Sequence, residues 1–146
     1  MTPKQIVRAF VDAHNVHDLD KMMTYLSDDS VMIDVASPLP LDSKEDVRKL
    51  YAHIFESIDV HFEITSMIEE GTKVFAALRT TGKGKGVWAG KNVKGAPLDI
   101  FEAMYCETNG KQITRTMFYS DTASLSKQMG GYSPVIDMTK GVKNVM

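Results

Sequence analysis

The chain has 146 residues, 43% of them hydrophobic and 25% charged, with a net charge of −2. That length fits one domain, which buries ~70% of its extended surface and needs no staples. No basic cluster points to nucleic acid, no apolar run approaches the ~20 residues of a membrane span, and the lone Cys106 excludes an internal disulfide or a multi-thiolate metal site. The opening MTPKQIVRAF lacks the apolar block of a signal peptide, so a cytoplasmic protein is expected.

Thr2-Pro3-Lys4-Gln5 reads as a helix start: Thr2 caps, Pro3 fits the first turn and Gln5 completes a capping box. Ile6, Val7, Phe10, Val11 and His14 follow at helical spacing. Asn15-Val16-His17 breaks the pattern, and Asp18 caps a second helix carrying Leu19, Met22, Met23 and Leu26, ended by Asp28-Asp29-Ser30. Val31 to Val35 is a short strand entering a loop with Pro38 and Pro40. Ser43 caps a third helix with an apolar stripe of Val47, Leu50, Tyr51, Ile54, Phe55 and Ile58.

Beyond Asp59 the period changes to that of strands. Val60 to Glu69 alternates, Glu70-Gly71 turns, and Lys73 to Thr81 forms a second strand. Gly82, Gly84, Gly86, Gly90 and Gly95 punctuate a weaker segment around Val87-Trp88-Ala89, where glycines mark the bends that curl a long sheet. Ala96 to Asp121 is a hairpin about Asn109-Gly110, a pair that supplies the positive φ angles of tight turns. Asp121 caps a short helix, Thr122 to Met129, stopped by Gly130-Gly131. Residues 1–131 are read as one domain and 132–146 as a tail without a period. Helices first and strands after describe an α+β domain, three helices on one face of a curved antiparallel sheet around an apolar interior.

Three acids sit in apolar surroundings: Asp34, Asp99 and Asp121. Burial raises a carboxyl's pKa, and acids of unequal environment divide base and donor roles. Each also has a plain structural reading. Asp121 is a good helix N-cap, Asp34 can cap a turn, and Asp99 can pair with Arg115 or a lysine. Strand alternation puts Asp99, Phe101, Ala103 and Tyr105 on one face, and Ile113, Arg115, Met117, Tyr119 and Asp121 on one face of the next strand. That face is taken as a pocket wall, with Phe10, His14, Tyr51, Phe55 and Trp88 contributing from elsewhere. His14 and His17 are three apart, but the helix ends between them, so no metal site is expected. No Ser-His-Asp order or phosphate loop is present.

Three segments carry a resemblance: FVDAHNVHDLDKMMTYLSDDSVMIDV, GKGVWAGKNVKGAPLDIF, and NGKQITRTMFYSD with SLSKQMG. Over residues 5 to 130 the chain resembles the NTF2-like (cystatin-like) cone fold, in its SnoaL-like branch of polyketide cyclases and ketosteroid isomerases. The resemblance implies Asp34 as the general base, Asp99 as a protonated donor to the developing oxyanion, and Asp121 as the acid/base of SnoaL-type cyclases. Phe10 stands where the isomerases have a tyrosine, and a phenyl ring donates no hydrogen bond. Tyr25, Tyr51, Tyr105 and Tyr119 are alternative donors between which spacing does not choose. The expected activity is cofactor-independent proton abstraction from an apolar cyclic or polyketide-like carbonyl compound. The alternatives are a non-catalytic binder of an apolar organic ligand and a protein-interaction module. A homodimer is implied by the resemblance.

Overall fold

The computed structural model describes residues 1–36 and 40–130. The Pro38 loop residue, Gly131 and the 132–146 tail lie outside them. Helix α1 spans Pro3–Asn15, with the Thr2–Gln5 capping box formed and Ile6, Val7, Phe10, Val11 and His14 buried along one face. Each fully buried apolar side chain of that stripe contributes about 1.5–3 kcal/mol. His17 closes the turn in a left-handed conformation, φ 55°. Asp18 then caps α2, Leu19–Thr24, by accepting from the Lys21 amide at 3.0 Å.

Strand β1 runs Leu26–Asp34, so it starts before the Asp28-Asp29-Ser30 run expected to end the second helix. Leu26 is a buried strand residue, not a helical one. The Ser43-capped α3 covers Lys44–Ser57. It hands over directly to β2, Ile58–Glu70, which turns at Gly71 into β3, Lys73–Gly84. The closing hairpin is β6, Pro97–Thr108, and β7, Ile113–Ser120. Its loop is longer than a two-residue turn. Asn109 Oδ1 accepts from the amides of Lys111 and Gln112, and Gly110 takes φ 88°.

The sheet order is β1-β7-β6-β3-β2. Its pairings are antiparallel except β1 with β7, which is parallel because the long return through α3, β2, β3 and β6 lies between them. Helix α1 packs on β2 and β3, and α3 on β1 and β2, so the helices roof one face of the curved sheet. The glycine-rich segment does not extend this sheet. It forms a separate two-stranded ribbon, β4 (Val87–Trp88) and β5 (Lys91–Asn92). Gly84 makes the ribbon possible: a Cβ there would stand 1.9 Å from the carbonyl oxygen of Val93. Helix α4, Thr122–Gln128, follows its Asp121 cap.

Candidate functional site

Sheet and roof enclose a cavity of about 400 Å³, in the size range of small-molecule sites. Its walls are mostly apolar. The sheet contributes Val60, Phe62, Leu98, Ile100 and Phe118, and α3 contributes Leu50 and Ile54. Trp88 enters from the ribbon and stacks on His53, with ring centroids 5.4 Å apart.

The polar side chains of this wall include Asp34, Tyr51, Glu102, Ser120 and His14. Asp34 ends β1. One of its carboxylate oxygens accepts from the Ala36 amide at 2.9 Å, which fixes the group at the start of the following loop. Glu102 lies in mid-β6 and points inward between Thr80 of β3 and Ser120 of β7. It is bonded to the Thr80 hydroxyl at 2.6 Å and to the Ser120 hydroxyl. Burial raises the Glu102 pKa, the two hydroxyls pull it back, and the charge of Asp34 pushes it further up. Tyr51, buried on α3, has its phenol pushed up chiefly by burial and then by Glu102. No side chain or backbone group among the described residues bonds its hydroxyl.

His14 is buried, yet it reaches the cavity from the last turn of α1. Burial lowers its pKa to about 4 against a weaker opposing effect of the Asn15 bond, so the imidazole is neutral near pH 7. Cys106, behind the wall, has its thiol pushed up to about 12 by burial and is inert as a nucleophile.

Of the expected site residues, the structure brings Asp34, His14, Tyr51 and Trp88 to the cavity. Seven others lie elsewhere. Asp99 is on the outer face of β6, in a two-pronged pair with Arg79 (2.7 and 3.0 Å) that lowers its pKa. Asp121 caps α4 through the Ser124 amide (3.1 Å) and hydroxyl (2.6 Å), which also lower its pKa. Phe101 and Tyr119 are exposed, 69% and 43%, on that outer face, with Met117 beside them on β7. Phe10 sits in the core under Tyr51, and Phe55 packs against His14 and His17. Strand alternation held except at Ile113, which is buried beside a shift in the β6–β7 register, and the choice of face was wrong. The inward residues of β6 are Leu98, Ile100, Glu102 and Met104.

Glu102 is therefore the residue that sequence reasoning missed, with its partners Thr80 and Ser120. A signal existed. Leu98, Ile100, Met104 and Cys106 make one face of β6 uniformly apolar, and Glu102 is the acid interrupting it. The other face mixes Asp99, Phe101, Ala103, Tyr105 and Glu107, as an outer surface does.

A curved sheet roofed by helices around an apolar cavity with inward acids places the protein among the cone-shaped α+β pocket proteins. A sequence model of the SnoaL-like domain matches residues 7–115, and the chain belongs to that family. No curated protein matches it. Among solved structures it is similar to a protein of Jannaschia sp. CCS1 provisionally described as a SnoaL-like polyketide cyclase. The TM-score is 0.80 at 16% identity, covering 90% of this chain and 93% of that one. A Catenulispora acidiphila protein with a ketosteroid isomerase-like fold, solved with trimethylamine, matches at TM-score 0.74 and 24% identity, covering 90% and 96%. AclR of Streptomyces galilaeus, provisionally described as a hydroxylase, matches at TM-score 0.78 and 19% identity, covering 88% and 95%. Likeness at this identity shows the fold. Among the described residues no helix is long and apolar enough to cross a membrane.

Proposed function

We propose that the protein is a small cofactor-independent enzyme that removes a proton beside a carbonyl in an apolar cyclic or polyketide-like compound. Isomerisation or aldol-type ring closure follows from the enolate. One observation carries this reading: two carboxyl groups of unequal environment, Asp34 and Glu102, share one apolar cavity. Such pairs divide base and acid roles.

Asp34, at the half-open end of β1, is the base. It takes the proton from the carbon beside the carbonyl, and the C–H electron pair moves into the carbonyl to give an enolate. Glu102, holding its proton further up the pH scale than an ordinary glutamic acid, donates to the oxygen where negative charge develops. The Tyr51 hydroxyl, unbonded among the described residues and kept protonated by its raised pKa, is the second donor. It supplies from α3 what Phe10 cannot supply from α1. A positioned base is worth ~10²–10⁴ in rate, and each donor to the oxyanion ~10²–10³. Return of the proton to another carbon gives an isomer, and attack of the enolate carbon on a second carbonyl closes a ring.

Proton exchange tests this without knowledge of the natural substrate. The protein is incubated in heavy water with cyclic and polycyclic ketones, and NMR follows deuterium entering beside the carbonyl. Exchange that is present in the wild type and lost in a folded Asp34→Asn variant is the expected result. Ketones that bind without exchange would make the chain a binding domain instead.

A further inference from the structure

We propose that the ligand of this cavity carries a hydroxyl group besides its carbonyl, and that His14 Nε2 accepts a hydrogen bond from that hydroxyl. The inference deepens the proposed function and takes its carbonyl substrate as given.

The argument begins at Asn15, the last residue of α1. Its side-chain amide pairs with the backbone of Phe62 on β2. Oδ1 accepts from the Phe62 N–H at 2.8 Å and Nδ2 donates to the Phe62 carbonyl at 2.8 Å. The backbone donor and acceptor leave no freedom to exchange the amide's oxygen and nitrogen. That same Oδ1 lies 3.0 Å from His14 Nδ1. An amide oxygen only accepts, so Nδ1 carries the hydrogen. A neutral imidazole has one N–H, and Nε2 is therefore a lone-pair acceptor.

The ring cannot turn away. It is stacked on Phe62, with centroids 3.8 Å apart and planes 6° from parallel, and it meets Tyr51 edge-on at 5.8 Å. Nε2 has no hydrogen-bond partner among the described residues. It is not occluded either, because the one occluded, unpartnered side-chain nitrogen or oxygen there is Trp88 Nε1. His14 is shut off from the outer surface and lines the cavity, so the opening at Nε2 is to the cavity. The Tyr51 hydroxyl, also on the cavity wall, makes no hydrogen bond to it, which leaves the two as separate ligand contacts.

A ligand with only a carbonyl would fill the apolar walls and leave Nε2 unpaired. Sites with a buried polar group discriminate strongly against ligands that fail to match it. A neutral acceptor in an apolar wall suits a neutral donor. An ammonium group would have to shed its water there for one uncharged partner.

The test has two parts. In the wild-type protein, ¹⁵N NMR of the histidine rings reads the tautomer of His14 directly. Nδ1–H with bare Nε2 is expected, and a proton on Nε2 overturns the proposal whatever binds. Ligand affinities are then measured for 5-, 6- and 7-hydroxytetralones, their deoxy parent and their methyl ethers. At least one hydroxytetralone should bind about tenfold tighter than both counterparts, and the preference should vanish in His14→Phe. If no hydroxytetralone outbinds its parent, or the preference survives in His14→Phe, the proposal falls. Deuterium exchange in the same samples keeps the two readings apart. Exchange without a hydroxyl preference sinks this proposal alone, and a preference without exchange sinks the enolising reaction alone.

Discussion

The two faces of the β6–β7 hairpin are made from alternate residues of the same strands and do opposite things. On the outer face Asp99 meets Arg79 in water, and the pair holds its carboxyl below the usual range. On the inner face, three residues along, Glu102 is walled in by β3 and β7 and its carboxyl is held above that range. The same functional group is a fixed anion on one side and a proton-holding donor on the other. What separates them is parity along the strand, because a shift of one residue moves every side chain to the opposite face. Chemical type alone does not make a candidate catalytic acid; its side of the sheet does.

The largest expected effects lie on the inner face. Asp34→Asn should lower ketone exchange ~10²–10⁴-fold, measured as the rate of deuterium uptake. Tyr51→Phe removes only a hydroxyl from a buried ring and should cost ~10²–10³ in the same assay with the fold retained. Tyr119→Phe makes the identical chemical change on the outer face and should leave the rate unchanged. Equal effects of the two phenylalanine variants would erase the distinction between the faces.

The fold was legible because it rests on local signals. The Thr2–Gln5 box and the Asp18, Ser43 and Asp121 caps each act within a few residues and form as expected, and the chain reverses at Asn109-Gly110, though in a longer loop than a two-residue turn. Leu26 was misread because Met22, Met23 and Leu26 keep helical spacing, while its actual place in β1 is set by distant pairing with Ile113 of β7. The site was half legible for a similar reason. Asp34, His14, Tyr51 and Trp88 reach the cavity from four different elements, and being polar or aromatic beside apolar runs was enough to mark them. Asp99 was singled out as an acid among apolar neighbours, and its partner Arg79 lies on another strand, 20 residues away. Its pairing is a fact of β3–β6 register, in which Arg79 faces Phe101 and Thr81 faces Asp99. No single-strand pattern contains that register.

Two buried inner groups should also leave opposite marks on stability against pH. The folded-state pKa of His14 is depressed from 6.5 to about 4, by burial first and by the nearby His17 and His61 after it, while Tyr51, Phe55 and Phe62 pack the ring. The unfolded chain then binds a proton that the folded chain refuses. Stability is full above pH 6.5 and is lost as pH falls toward 4, by about 3 kcal/mol. Denaturant unfolding of wild type and His14→Phe between pH 7 and 4 reads this as a difference that narrows with acid. Glu102 has the reverse sign. Its folded pKa lies above its unfolded one, so its ionisation penalises the fold as pH rises beyond about 4.5. Glu102→Gln should gain on the wild type toward neutral pH and show no advantage below the unfolded pKa. An advantage that grows with acid would mean that Glu102 is stabilised as an anion, and its donor role would fail.

The smallest expected effect is the sharpest test of the comparison. Asp99→Asn removes one charge from a half-exposed pair and leaves an amide of the same shape. The backbone N–H and carbonyl of Asp99, bonded to Gln128 at 2.7 and 2.9 Å, are untouched, so α4 stays docked on β6. Exposed ion pairs contribute little because water already solvates both partners. Turnover or exchange should therefore match the wild type, with only a minor change in melting that high salt abolishes. A rate loss comparable to that of Asp34→Asn, in a protein that still melts normally, would put the chemistry on the outer face. The cavity, Glu102 and Tyr51 would then all have been misassigned together, because no rearrangement of one side chain brings Asp99 through the sheet.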